Sequence, residues 1–187
     1  MTQASGLEHK FCRFDDGVVV TDGTEIEGYA SLFGQTDQGG DIVEAGAYAA
    51  SLKKLANSDR RVKLLWQHDP TQPIGVWDEV REDGNGLYVK GRLLTDIAKG
   101  REAASLIEAG ALDGLSIGYR TVKASRNGDG RRVLQEVELW EVSLVTFPML
   151  PTARVGAKSD DMSDPVLHEL AQAFEEARTL FARSSHP

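Results

Sequence analysis

Between Gly114 and Lys123 the side chains alternate without a break. Leu115, Ile117, Tyr119 and Thr121 fall on one side of an extended chain, and Ser116, Gly118 and Arg120 on the other. A period of two fits a strand with one face on a core and does not fit a helix. Comparable stretches recur over residues 10–155, separated by glycine turns. Residues 18–21 and 25–33 flank Asp22-Gly23, and 74–82 and 86–94 flank Asp83-Gly84-Asn85-Gly86. Residues 62–67 form a further apolar strand, and 132–139 and 141–147 follow a turn at 127–130. Only two helices interrupt this pattern: alanine-rich 47–56, and 97–108 with Gly110 as its stop. Pro148 and Pro151 close the sheet region. The expectation is a β-rich α+β domain, a barrel or sandwich decorated with helices.

With 187 residues the chain has room for about one domain, and 41% hydrophobic residues are enough to give it a packed core. The net charge of -8 disfavours free-standing nucleic-acid binding, whose main affinity term is phosphate neutralisation. Cys12 is the single cysteine, so neither an internal disulfide nor a thiolate zinc site is available. Three of the four histidines (His9, His168 and His186) lie near a terminus, which leaves His68 for imidazole chemistry in the body of the domain. The polar start and the shortness of the apolar run 142–150 predict neither a signal peptide nor a membrane span, hence a cytoplasmic protein.

The expected organisation is a domain over 1–157 followed by a linker and C-terminal helix over 158–187. Pro165 suits the first turn of that helix. Leu167, Leu170, Phe174, Ala177 and Phe181 are spaced three and four apart. The segment carries -3 of the net charge. It either packs back on its own domain or docks a partner.

His68 ends an apolar strand and precedes Asp69-Pro70. Gln67, His68 and Asp69 are adjacent, a poor spacing for a shared metal, so no metal or cofactor is expected. Ser116 lies in Gly114-Leu-Ser-Ile-Gly118, which superficially matches a nucleophile elbow. The chain continues as a strand there, and His68 precedes the serine, so an α/β-hydrolase is disfavoured. A serine nucleophile needs a base, and an imidazole base needs a partner on its second nitrogen. Asp41, Asp69, Glu138 and Glu141 are the carboxylates available. Glu138 and Glu141 lie three apart, so in a continuous strand they face opposite sides and only one could aim at His68.

Several blocks occur in order: Leu65-Trp-Gln-His-Asp-Pro70, Gly86-Leu-Tyr-Val89, Ala111-Leu-Asp-Gly-Leu-Ser-Ile-Gly-Tyr119 and Leu139-Trp-Glu-Val-Ser-Leu-Val-Thr-Phe-Pro148. Together with Gly28-Tyr-Ala30, Gly40-Asp41 and Gly46-Ala-Tyr48, they resemble the prohead (capsid maturation) protease family of tailed bacteriophages over roughly residues 26–155. Departures are mild: Tyr48 and Tyr119 stand where phenylalanine is frequent, and Leu150 where asparagine is common. The resemblance implies His68 as base, Ser116 as nucleophile and Glu141 as third member, with Glu138 in reserve. It also implies a closed, mostly antiparallel β-barrel ringed by a few helices, similar to the herpesvirus maturation proteases.

The activity so implied is that of a serine endopeptidase acting inside an assembling procapsid in the bacterial host. Its partners would be the major capsid protein precursor with its scaffolding region, and the protease itself as autoprocessing substrate and candidate homo-oligomer partner. Neither nucleic acid nor membrane is an implied partner. The alternative is a non-catalytic barrel that serves as scaffold or docking protein. A phage and a domesticated phage-like particle, such as a gene transfer agent, fit the sequence equally.

Overall fold

The computed structural model describes residues 8–12, 18–21, 24–37, 39–146 and 155–156, with side chains over 24–37 and 39–146. In chain order these form β1 (Glu8–Cys12), β2 (Val18–Thr21), β3 (Glu25–Leu32), β4 (Asp41–Val43), α1 (Ala49–Ala56), β5 (Lys63–Trp66) and β6 (Asp69–Glu82). Then come β7 (Gly86–Leu93), α2 (Ala98–Glu108), β8 (Gly114–Arg126), β9 (Arg132–Val145) and β10 (Val155–Gly156). All ten strands belong to one sheet, ordered β1-β8-β9-β5-β6-β7-β3-β2-β10, with β4 added on β9. The β8–β9 and β6–β7 hairpins run antiparallel, whereas β5 and β4 both lie parallel to β9.

The sheet curls strongly. β1 and β3, with five strands between them in its order, approach within 8 Å between Cα atoms. No hydrogen-bonded ladder joins them among the described residues, which form a curled half-barrel sheet. The expected C-terminal helix and the boundary at 157 lie outside the described residues. Among those described, no helix is long and apolar enough to cross a membrane.

The core fills the inside of the curl. Leu115, Ile117 and Tyr119 of β8 are at most 2% exposed and pack with Ile26, Leu87, Val89 and Ile107. Local chemistry sets the corners as the sequence predicts. At the end of α2, Gly110 takes a left-handed conformation (φ 67°) that suits a residue without Cβ. There Ala111 N–H bonds Leu106 C=O at 2.8 Å and Gly110 N–H bonds Ile107 C=O at 2.9 Å, a Schellman stop. In the β6–β7 turn Asp83 Oδ1 accepts the N–H groups of Asn85 and Gly86.

One irregularity matters for the site. β8 pairs with β9 as Gly118↔Glu141 and then Tyr119↔Leu139, so Trp140 is a bulge residue with no partner opposite it. The bulge switches the phase of β9. Val137 and Leu139 face the core before it, and Val142 and Leu144 face the core after it. At the same level α1 fills the edge of β9 between β4 and β5. Its Ser51 hydroxyl accepts Leu139 N–H at 2.9 Å, and Ala47 C=O accepts Val137 N–H at 3.0 Å.

Candidate active site

Ser116 projects from β8 away from the core, as the alternation requires, and is completely buried. Across the ladder it stands opposite Ser143 of β9, two residues beyond Glu141. The third element is the two-residue connection between β5 and β6. Trp66 pairs with Asp69, so Gln67 and His68 form the turn. Both have positive φ, 50° and 61°, as a type I′ hairpin demands. Neither is glycine, asparagine or aspartate, so the turn holds strain of about 1–2 kcal/mol per residue.

Contacts with distant residues hold this turn. Gln67 N–H bonds Leu144 C=O at 3.0 Å, and its side-chain amide donates to Thr146 Oγ1 at 2.5 Å. His68 N–H donates to Ser143 Oγ at 3.2 Å. Asp69 Oδ1 accepts the Thr71 hydroxyl at 2.6 Å and the Thr71 N–H at 2.8 Å, while Gln72 donates to Oδ2. Those bonds, the Thr71 hydroxyl first, hold the Asp69 carboxyl below its ordinary range. Gln67 and Asp69 are thus engaged in the turn itself, and His68 is the member that reaches toward β8.

The imidazole is aimed by this turn at two partners. Ser116 Oγ lies 2.6 Å from His68 Nε2, and Glu141 Oε1 lies 2.6 Å from His68 Nδ1. An ionised carboxylate can only accept, so Nδ1 carries the hydrogen and Nε2 is left to accept the Ser116 hydroxyl. The second oxygen of Glu141, Oε2, accepts the Ser143 hydroxyl at 2.5 Å. Glu141 is 3% exposed, and the imidazole is the wettest member, with 13% of its side chain exposed. In such a low-dielectric setting each charge-assisted bond is strengthened.

Gly118 makes room for the carboxylate. It faces Glu141 across the ladder, and a Cβ there would overlap the Glu141 carboxylate and Cγ. Gly118→Ala should therefore displace Glu141 from His68; if the cluster is catalytic, kcat should fall by about 100-fold, the cost of misplacing reacting groups by about 1 Å. Steady-state kinetics on a variant with unchanged circular dichroism checks this.

The other carboxylates lie elsewhere. Asp41 accepts from Arg132 at 3.1 Å. Glu138 binds Arg120 at 2.6 Å and Lys54 at 3.3 Å. Burial pushes its carboxyl up, but the bonds from Arg120 and Lys54 outweigh that and hold it below the usual range. The reason for its absence from the site corrects the sequence argument. Because of the bulge, Glu138 and Glu141 share the face away from the core, and it is distance along the strand and the Arg120 pairing that separate them. His9 also corrects the elimination by chain position. Its backbone on β1 lies in register with Gly118, so nearness to the terminus does not remove a residue from this region. Ser143 joins the cluster as well, and its spacing of two from Glu141 is the sequence signal that puts both on one face of the strand.

The sequence matches the family model described as Caudovirus prohead serine protease over residues 13–166. The chain belongs to this family. A prohead protease of Enterobacteria phage HK97 is 34% identical over 135 residues, which cover 71% of this chain and 59% of that protein. The chain thus matches over about three-fifths of the length of this relative. Among solved structures, the bacteriophage T4 capsid assembly protease superposes with a TM-score of 0.60 at 19% identity, over 76% of this chain and 98% of that one. At that identity the likeness concerns the fold, and it supports the curled sheet described above.

Proposed function

We propose that this chain is a serine endopeptidase of procapsid maturation, with Ser116 as nucleophile, His68 as general base and acid, and Glu141 as the group that orients His68. The observation that carries the reading is the continuous hydrogen-bond chain from Ser116 Oγ through both imidazole nitrogens to Glu141, with 2.6 Å at each step. In acylation, Ser116 Oγ bonds to the scissile carbonyl carbon as its proton passes to His68 Nε2. His68 then gives that proton to the departing amine, and the C–N bond breaks. Water repeats the sequence on the acyl-enzyme, losing its proton to His68 and regenerating Ser116. Glu141 stays ionised throughout and balances the imidazolium.

Family membership and the names of the relatives, a prohead protease and a capsid assembly protease, support the major capsid protein precursor and its scaffolding region as substrate. The chain itself is a second substrate, and the assembling procapsid is where it acts. A net charge of -8 suits that compartment, since it disfavours adhesion to DNA. The approach of β1 to β3 supports a barrel that closes without a complete ladder.

Co-expression with the capsid protein precursor tests the reading. The wild-type chain should shorten the precursor, as seen by mass spectrometry, and the precursor alone should stay intact. A precursor that stays intact while the chain is incorporated into assembled shells would overturn the protease and favour a docking protein.

A further inference from the structure

Ser143 closes a ring that a serine, histidine and carboxylate alone leave open. Its Oγ donates to Glu141 Oε2 at 2.5 Å and accepts the backbone N–H of His68 at 3.2 Å. Glu141 Oε1 in turn accepts the imidazole of the same histidine at 2.6 Å. One fully buried hydroxyl therefore touches both the acidic group and the strained turn that carries the base. Its place is fixed by register: Ser143 lies opposite Ser116 on β8 and beside Leu65 on β5, between the two elements that must stay aligned.

We propose that Ser143 is a positioning residue, acting through Glu141 and the His68 backbone to hold the imidazole between carboxylate and nucleophile. The inference rests on the proposed roles of Ser116 and His68. Two consequences follow from the geometry. The carboxylate has two oxygens, and rotation about its last bond would carry Oε1 away from Nδ1; the Ser143 hydroxyl on Oε2 opposes that rotation. Left-handed backbone at Gln67 and His68 relaxes unless neighbours hold it, and the bond to Ser143 is one that holds it at His68 itself.

The test uses a fluorophosphonate, which reports nucleophile activation whatever the peptide specificity. The Ser116 Oγ–P bond forms, P–F breaks, fluoride leaves and the hydroxyl proton passes to His68. Ser143→Ala in the full chain should slow labelling by about 10- to 100-fold, as expected for a lost hydrogen bond to a charged group. It should also weaken or shift the downfield proton resonance of His68 Nδ1–H. Ser143→Cys keeps the size but donates weakly, and should behave like Ser143→Ala. Ser143→Thr keeps the hydroxyl and should restore rate and resonance, and the Cys and Thr pair carries the test if the alanine variant does not fold. Equal rates in the Cys and Thr variants, or wild-type labelling with an unmoved resonance in Ser143→Ala, would overturn the positioning role. Labelling of Ser116→Ala at the wild-type rate would instead remove the nucleophile assignment and this inference with it.

Discussion

With the proposed roles, Ser116→Ala is expected to lower kcat for cleavage of the proposed substrate, the capsid precursor, by about 10⁶-fold, and adding His68→Ala to it should cost nothing further. The two residues act on one proton, so removing either abolishes the same step, and the effects of such residues do not add. The 2.6 Å contact between Ser116 Oγ and His68 Nε2 makes this a strong expectation, since no rearrangement is needed to bring base to nucleophile. Initial rates from quantitative mass spectrometry, with Ser116→Ala, His68→Ala and the double variant side by side, decide it. Three equal residual rates support one catalytic unit. A double variant much slower than either single one would mean that Ser116 and His68 serve separate functions, and a Ser116→Ala rate near wild type would end the assignment.

The legible parts of the fold were those set by neighbours in sequence. Leu115, Ile117 and Tyr119 alternate with Ser116 and Gly118, and the strand obeys that alternation, with the apolar set in the core and the serine on the other face. Gly110 stops α2 and Asp83 builds its turn because each acts on groups within a few residues. Features set by distant residues were not legible. The bulge at Trp140 exists because β8 pairs in one phase above it and another below, so the rule that residues three apart face opposite sides failed for Glu138 and Glu141. The Gln67-His68 turn carries no glycine to announce its positive φ, and the groups that hold it lie some 75 residues away on β9. Likewise β4 is three residues long and becomes a strand only by lying against Arg132–Leu134. Resemblance therefore singled out the candidate residues where local pattern could only permit them: Ser116 in a strand, His68 at a strand end, and Glu141 as one carboxylate among several.

Glu141→Gln separates the charge of the third member from its shape. The amide has nearly the size of the carboxylate, so packing beside Gly118 is preserved, but it carries no charge and can present either O or N–H to His68. If the amide N–H faces Nδ1, the imidazole must carry its hydrogen on Nε2, and a protonated Nε2 cannot take the Ser116 proton. If the amide oxygen faces Nδ1, the tautomer is right but nothing balances the imidazolium as it forms. Either way kcat falls, and a carboxylate-to-amide change at this position of a triad costs about 10⁴-fold. Glu138→Gln is the matched control on the same strand and face. It loses only its bonds to Arg120 and Lys54, whose side chains are 60% and 71% exposed, and its rate should stay within about twofold of wild type. Initial rates for the two variants, measured at equal folded concentration, give the comparison. A large loss in Glu138→Gln with little in Glu141→Gln would transfer the orienting role to the other carboxylate, which the 2.6 Å bond from His68 Nδ1 to Glu141 argues against.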